Sequence, residues 1–138
     1  MFILDTNVVS ELRKIRLGRA DKQFSRWADS METADLYLSV ITVQELEMGV
    51  LLLERRDAKQ GAIFRTWLDH HVLPAFSGRI LPIDTAVALY SAKLHAPNPQ
   101  PVRDRLIAAT ALVHGMSMVT RNVADFSSSG VTVINPWD

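Results

Sequence analysis

Met1-Phe-Ile-Leu-Asp5-Thr-Asn7 opens the sequence, and its reading decides the fold class. Phe2 to Leu4 is a short apolar run that does not alternate, as a strand buried on both faces does not. The run stops on a carboxylate. Thr6 or Asn7 can then cap a helix from about Val8 into the basic segment, ended by Gly18. A buried strand passing straight into a helix is the start of an α/β fold.

The rest of the chain repeats that alternation. Phe24, Trp27, Ala28 and Met31 recur at helical spacing, which predicts a helix over 21–31. Leu36 to Ile41 reads as a second strand, and Thr42 starts a helix through Leu53 and beyond. Ile63, Phe64, Trp67, Leu68 and Val72 lie on a further helix. Arg79 to Ile83 reads as a third strand, with Asp84 capping a helix up to Leu94. His95 to Pro101 holds three prolines and reads as a loop within the domain. Val102 to His114 is helical with Gly115 just past its end, and Met116–Thr120 and Val131–Ile134 are the last strands, joined by a turn at Ser127–Gly130. Strands alternating with helices imply a mostly parallel sheet with helices on both faces.

Composition narrows the function classes. The 138 residues suit one domain over 1–138, and 48% hydrophobic content suits a packed core. Fifteen basic and fifteen acidic residues cancel, so nucleic acid would have to be held by a local patch. The absence of cysteine excludes disulfides, thiolate zinc sites and cysteine nucleophiles, and fits a reducing cytoplasm. The first apolar run meets Asp5 too early for a signal peptide, and no apolar stretch is long enough to span a bilayer.

Asp5, Glu45, Asp104 and Asp125 each stand just past an apolar run or at a helix start. Carboxylates gathered from distant segments repel, and a site that keeps them ionised usually holds a hard divalent cation. Each also has a purely structural reading. Asp5 could be an N-cap, although Thr6 and Asn7 are available for that. Glu45 could close a capping box with Thr42. Asp104 could serve the dipole of the helix that begins near Val102, and Asp125 could stabilise a turn. Asn122, nearer the strand end, could complete the site in place of Asp125. Glu47 faces another side of the helix.

The four histidines make no zinc motif, and serine-nucleophile and glycine-rich phosphate motifs are absent. Arg13, Lys14, Arg16, Arg19 and Lys22 form a basic segment that is either a solvated helix face or a hold on a phosphate backbone. The helix of Val43, Leu46, Gly49, Val50 and Leu53 has an apolar face widened by Leu51 and Leu52, enough for core packing and a partner or dimer surface.

In order along the chain, Ile3–Asn7, Leu38–Leu46, Gly78–Pro82, Asp104–Ala111, Thr120-Arg-Asn122 and Asn135-Pro-Trp137 make the sequence resemble PIN-domain ribonucleases, specifically VapC-type toxins of bacterial toxin–antitoxin pairs in the FitB-like branch. The resemblance implies a PIN-like three-layer α/β/α sandwich with a mostly parallel central sheet of four to five strands. It implies Mg²⁺-dependent (or Mn²⁺-dependent) endonucleolytic cleavage of RNA in the bacterial cytoplasm, silenced by a cognate antitoxin. A homodimer that reaches DNA only through the antitoxin, with no membrane, is the implied assembly. By motif, Asp5, Glu45 and Asp104 take the metal positions. Many relatives place aspartate directly after Thr-Arg, where this chain has Asn122, and the resemblance leaves Asp125 or Asn122 to complete the site. Thr6, Asn7 and Thr120 are expected to hold the carboxylates, and Arg121 to touch the scissile phosphate. The helix around Val43–Leu53 and the one around Phe64 and Trp67 are expected to form a groove for the antitoxin, which typically sends a basic side chain into the acidic pocket.

Two other readings compete. A haloacid-dehalogenase-like phosphatase also has an aspartate after its first strand, but wants a second aspartate where Asn7 stands. A non-catalytic PIN-like module that only binds a partner has no need of an intact acidic set.

Overall fold

The structure, a computed structural model, describes residues 1–96 and 98–138. Its strands are β1 (Phe2–Leu4), β2 (Leu36–Ser39), β3 (Ile80–Leu81), β4 (Ser117–Val119) and β5 (Val133–Ile134). They lie in the order β3-β2-β1-β4-β5, and every pairing is parallel. The helices are α1 (Thr6–Arg16), α2 (Lys22–Asp29), α3 (Val40–Arg56), α4 (Ala58–Trp67), α5 (Leu73–Ala75), α6 (Thr85–Leu94), α7 (Val102–Val113) and α8 (Val123–Phe126). A π-helical stretch, Leu68–Val72, joins α4 to α5.

Alternation along the strands sorts the core into two layers. Leu4, Leu36, Leu38 and Val119 point to one face, where they pack with Val8 and Val9 of α1, Phe24 of α2, and Leu46 and Val50 of α3. Ile3 and Met118 point to the other, against Ile107, Ala108 and Ala111 of α7 and Phe126 of α8. The small residues of α7 let that helix lie close on the sheet. This is the three-layer α/β/α arrangement expected, with five strands, all parallel.

Several boundaries differ from the sequence reading. The second strand ends at Ser39, not Ile41, because the Ser39 hydroxyl accepts a hydrogen bond from the Ile41 amide at 3.0 Å and starts α3 at Val40. Cap chemistry outweighs the strand preference of Val40 and Ile41. The third strand is only Ile80–Leu81, with Pro82, which has no N–H to give to a ladder, next in line. A short helix, α8, precedes the Ser127–Ser129 3₁₀ turn where only a turn was expected. Asp84 caps α6 as expected, its carboxylate accepting from the Val87 amide at 2.9 Å. The loop expected over 95–101 is non-helical at its described positions, and Pro97 lies outside the described residues.

α3 and α4 form a tight hairpin. A Cβ on Gly61 of α4 would fall 2.5 Å from the Glu54 Cα of α3. Glycine inside an exposed helix normally costs about 1 kcal/mol against alanine. Here the sign should reverse: Gly61→Ala is expected to destabilise by about 1–3 kcal/mol, because backbone must move to admit the methyl. Urea unfolding followed by circular dichroism measures it, and a stabilised variant would contradict the close approach.

Candidate active site

The chain runs from β1 to β2 and β3 on one side, then returns to β4 on the other side of β1. The strand order therefore reverses between β1 and β4, and open α/β sheets bind ligands beyond the carboxyl ends of strands at such a point. Asp5 follows β1 and Thr120 follows β4, so both stand there. The fully buried Thr120 hydroxyl donates to Asp5 Oδ2 at 2.8 Å. Asp5 Oδ1 accepts from the Thr6 amide at 2.8 Å and is the N-cap of α1.

That corrects the expectation that Thr6 or Asn7 caps this helix. Both side chains turn to the site instead. Thr6 Oγ1 donates to Glu45 Oε1 at 2.7 Å. The Asn7 side-chain amide lies 3.4 Å from both Asp5 Oδ2 and Thr120 Oγ1, and its Oδ1 accepts from the Arg121 amide at 3.2 Å. Asp5 is thus cap and cluster member at once.

The capping box of Thr42 and Glu45 does not form either. Ser39 caps α3, and the buried Thr42 hydroxyl has no hydrogen-bond partner among the described residues. Glu45 lies in the second turn of α3 with its carboxylate on Thr6 and on Arg103, whose Nε donates to Oε2 at 3.0 Å. Glu47 faces away, as expected, and pairs with Arg65 at 2.7 Å.

Asp104 sits in the first turn of α7. With Glu45, Pro101, Val102 and Arg103 it lines a cleft of about 300 Å³. Its carboxyl is held above the usual aspartate range by burial first, then by the charges of Asp5, Asp125 and Glu45, with Arg105 opposing. Asp5 is raised too, chiefly by burial and further by Glu45 and Asp125, against the hydrogen bonds from Thr120 and Thr6. Four carboxylates from four chain segments therefore share one electrostatic neighbourhood. Asp125 takes part in it from α8, whereas Asn122 contributes its backbone amide, which donates to Thr120 Oγ1 at 3.0 Å. The Arg121 guanidinium lies 5.2 Å from the Trp137 ring centroid, stacked as a cation–π pair.

The donor set is all oxygen, which suits a hard divalent cation, and a dication would relieve the mutual repulsion. As the side chains stand, no three of the described acids or histidines converge on one ion position.

The basic segment does not join this site. Lys14 pairs with Glu11 at 3.3 Å, Arg16 meets His71 at 2.8 Å, and the Arg13 guanidinium covers the Phe64 ring at 4.1 Å. Arg13 and Arg16 lie two to three turns along α1 from Asp5, roughly 12–16 Å away. They line a separate cavity of about 600 Å³ with Leu17, Ala62, Ile63, Thr66, Trp67 and His71. No residue of α3 lines that cavity, and Leu46 and Val50 of α3 are buried in the core.

A PIN domain family model matches residues 2–128. This chain belongs to the PIN domain family. The PIN chain is 38% identical to the VapC ribonuclease Y4jK of Sinorhizobium fredii, covering 100% of this chain and 99% of that protein. It is 40% identical to toxin FitB of Neisseria gonorrhoeae, covering 99% of each. The crystal structure of FitAcB from the same organism superposes with a TM-score of 0.88 at 37% identity over 99% of each chain.

Two side chains of the site, Arg103 and Arg105, were passed over in the sequence. Arg105 is 3% exposed, donates to the Asp125 carbonyl, and its Nε has no partner among the described residues. Their only signal was position, on either side of Asp104 at a helix start.

A carboxyl whose folded pKa is raised binds its proton more tightly folded than unfolded, so its stabilisation is present at low pH and is lost as pH rises through the folded value. At neutral pH Asp5 and Asp104 each cost stability. Asp104→Asn should remove that cost: its melting temperature relative to the parent should climb as pH rises from the acid range to neutrality. Thermal unfolding across pH checks this, and a variant that loses ground toward neutral pH contradicts it.

Proposed function

We propose that this PIN chain is a divalent-metal-dependent endoribonuclease, the toxin of a toxin–antitoxin pair. The observation that carries the reading is that Asp5, Glu45, Asp104 and Asp125, from four chain segments, bear on one another's charge at the strand-order reversal, in a chain of this family. The named activities of the VapC ribonuclease and the FitB toxin support it.

Hydrolysis of a phosphodiester needs an in-line water, a means of making that water acidic, and relief of charge on the phosphoryl oxygens. Bound Mg²⁺ (or Mn²⁺) supplies Lewis acidity and positive charge for all three. Asp5 and Asp104 would hold the ion in this reading. Glu45 and Asp125 would complete the site or orient the attacking water. Thr120, Thr6 and Asn7 hold the carboxylates at the distances given above, the kind of support whose loss typically costs about 10–100-fold in metal affinity or activity. Position 7 is an asparagine whose amide faces Asp5 and Thr120, so the phosphatase reading lacks its second acid.

In the same reading a cognate antitoxin fills the apolar groove between α1 and α4, DNA is reached only through that partner, and the chain acts as a homodimer in the bacterial cytoplasm. Met48, Leu51 and Leu52 on the outer side of α3 are exposed and available to a second copy. No described helix is long and apolar enough to cross a membrane.

Cleavage of a labelled single-stranded RNA should require added Mg²⁺ or Mn²⁺ and stop in excess EDTA. Asp5→Asn and Asp104→Asn should each lower the rate by well over about 100-fold, beyond the loss typical of a supporting residue. Both should remain folded. Undiminished cleavage in EDTA, or by either variant, rejects the reading.

The fourth acid can be ranked separately. Asp125→Ala should cost far more activity than Asn122→Ala, because the charge of Asp125 bears on Asp5 and Asp104. The reverse order of rates would give the role to Asn122.

A further inference from the structure

Resting on the ribonuclease reading, we propose that Arg103 is a phosphate-binding residue for the RNA substrate, parked on Glu45 until a metal ion and a phosphate arrive together. Arg103 is the one basic side chain among the described residues whose charged nitrogen pairs with any of the four site carboxylates. It lies on the wall of the 300 Å³ cleft that also holds Glu45 and Asp104. Its side chain is 52% exposed and bonds Glu45 through Nε alone. Its two terminal nitrogens have no hydrogen-bond partner among the described residues, so the face that would meet a bidentate anion is open.

Charge decides what the residue does next. Glu45 Oε1 is already taken by Thr6, so Arg103 sits on the oxygen most available to an incoming cation. Arginine and a dication compete for that oxygen, and like charges at such a distance repel. Once a dication is in the cluster, the guanidinium needs another anion. The anion that comes to this cleft in the reaction is a phosphate of the RNA backbone, whose planar pair of oxygens fits the guanidinium fork. Arg121, the residue first expected to meet the phosphate, is engaged on the Trp137 ring.

The proposal predicts opposite signs for two measurements on one exposed and easily tolerated substitution, Arg103→Gln. Mn²⁺ titration of the full chain without RNA, read by the electron paramagnetic resonance of free Mn²⁺, should show tighter binding in the variant by about threefold or more, since a competing cation is gone. Steady-state cleavage of a labelled RNA at saturating Mn²⁺ should show KM raised about tenfold, the loss of one charged hydrogen bond, with kcat changed much less. Arg103→Lys should recover part of the KM. Weaker Mn²⁺ binding in Arg103→Gln would make Arg103 a positioner of Glu45 and overturn the proposal. Unchanged Mn²⁺ affinity together with unchanged KM would overturn it as well. A parent protein that binds no Mn²⁺ and cleaves no RNA would overturn the ribonuclease reading and this inference together, whereas an active parent beside an indistinguishable variant overturns the inference alone.

Discussion

The hydroxyl of Thr120 is the point on which the carboxyl edge of the sheet is assembled. It donates to Asp5 Oδ2 at 2.8 Å and accepts from the Asn122 amide at 3.0 Å and from the Asn7 side chain at 3.4 Å. One donor and two lone pairs are all that a hydroxyl has, and all are used. These bonds join the end of β1, the first turn of α1, the end of β4 and the turn that leads to Asp125. Because Thr120 is fully buried, an apolar replacement would strand the Asp5 carboxylate in a dry pocket. The same bond keeps Asp5 in place to cap α1, so the geometry of the site and the start of a core helix are one feature.

The price of the arrangement is electrostatic. Burial and mutual repulsion raise Asp5 and Asp104 together, and a packed fold gains nothing from such a cluster at neutral pH. Apolar packing on both faces of the sheet, with Ile3, Leu4, Leu38, Ile107, Met118 and Val119 all fully buried, offsets it. Strain concentrated where a ligand is expected, and supported by an otherwise consistent core, is how functional sites differ from the rest of a fold.

That difference explains what could be read from the sequence. β1, the Asp84 cap, the small-residue helix α7 and the parallel direction of the strands follow from local patterns of a few residues. Asp5 and Asp104 were legible because they stand at a strand end and a helix start, and Glu45 and Asp125 because each follows a strand by six residues. What local pattern could not reach were pairings across 39, 58 and 115 residues: Thr6 with Glu45, Arg103 with Glu45, and Thr120 with Asp5. Thr42 and Glu45 have capping-box spacing, yet Ser39, three residues earlier, captured the helix start. The basic segment starts a turn or more beyond Asp5 in the sequence, but α1 is 11 residues long and carries Arg13, Lys14 and Arg16 in its last turn, away from the acids.

Arg103, Asp104 and Arg105 show how one turn of helix can serve a sheet edge. Successive residues of a helix point about 100° apart, so Arg103 and Arg105 diverge by about 200°. Arg103 reaches Glu45 of α3, which follows β2. Arg105 reaches the backbone of Asp125 in α8, which follows β4. Asp104 lies between them and feels Asp5, which follows β1. The sequence order of these three residues therefore mirrors the spatial order β2-β1-β4. Helix α7, packed on the sheet through Ile107, Ala108 and Ala111, spans the strand-order reversal and turns one residue toward the segment that follows each of the three strands. The two arginines answer different needs. The buried one, with its Nε unpartnered, ties α8 to α7, while the exposed one remains free to change partners.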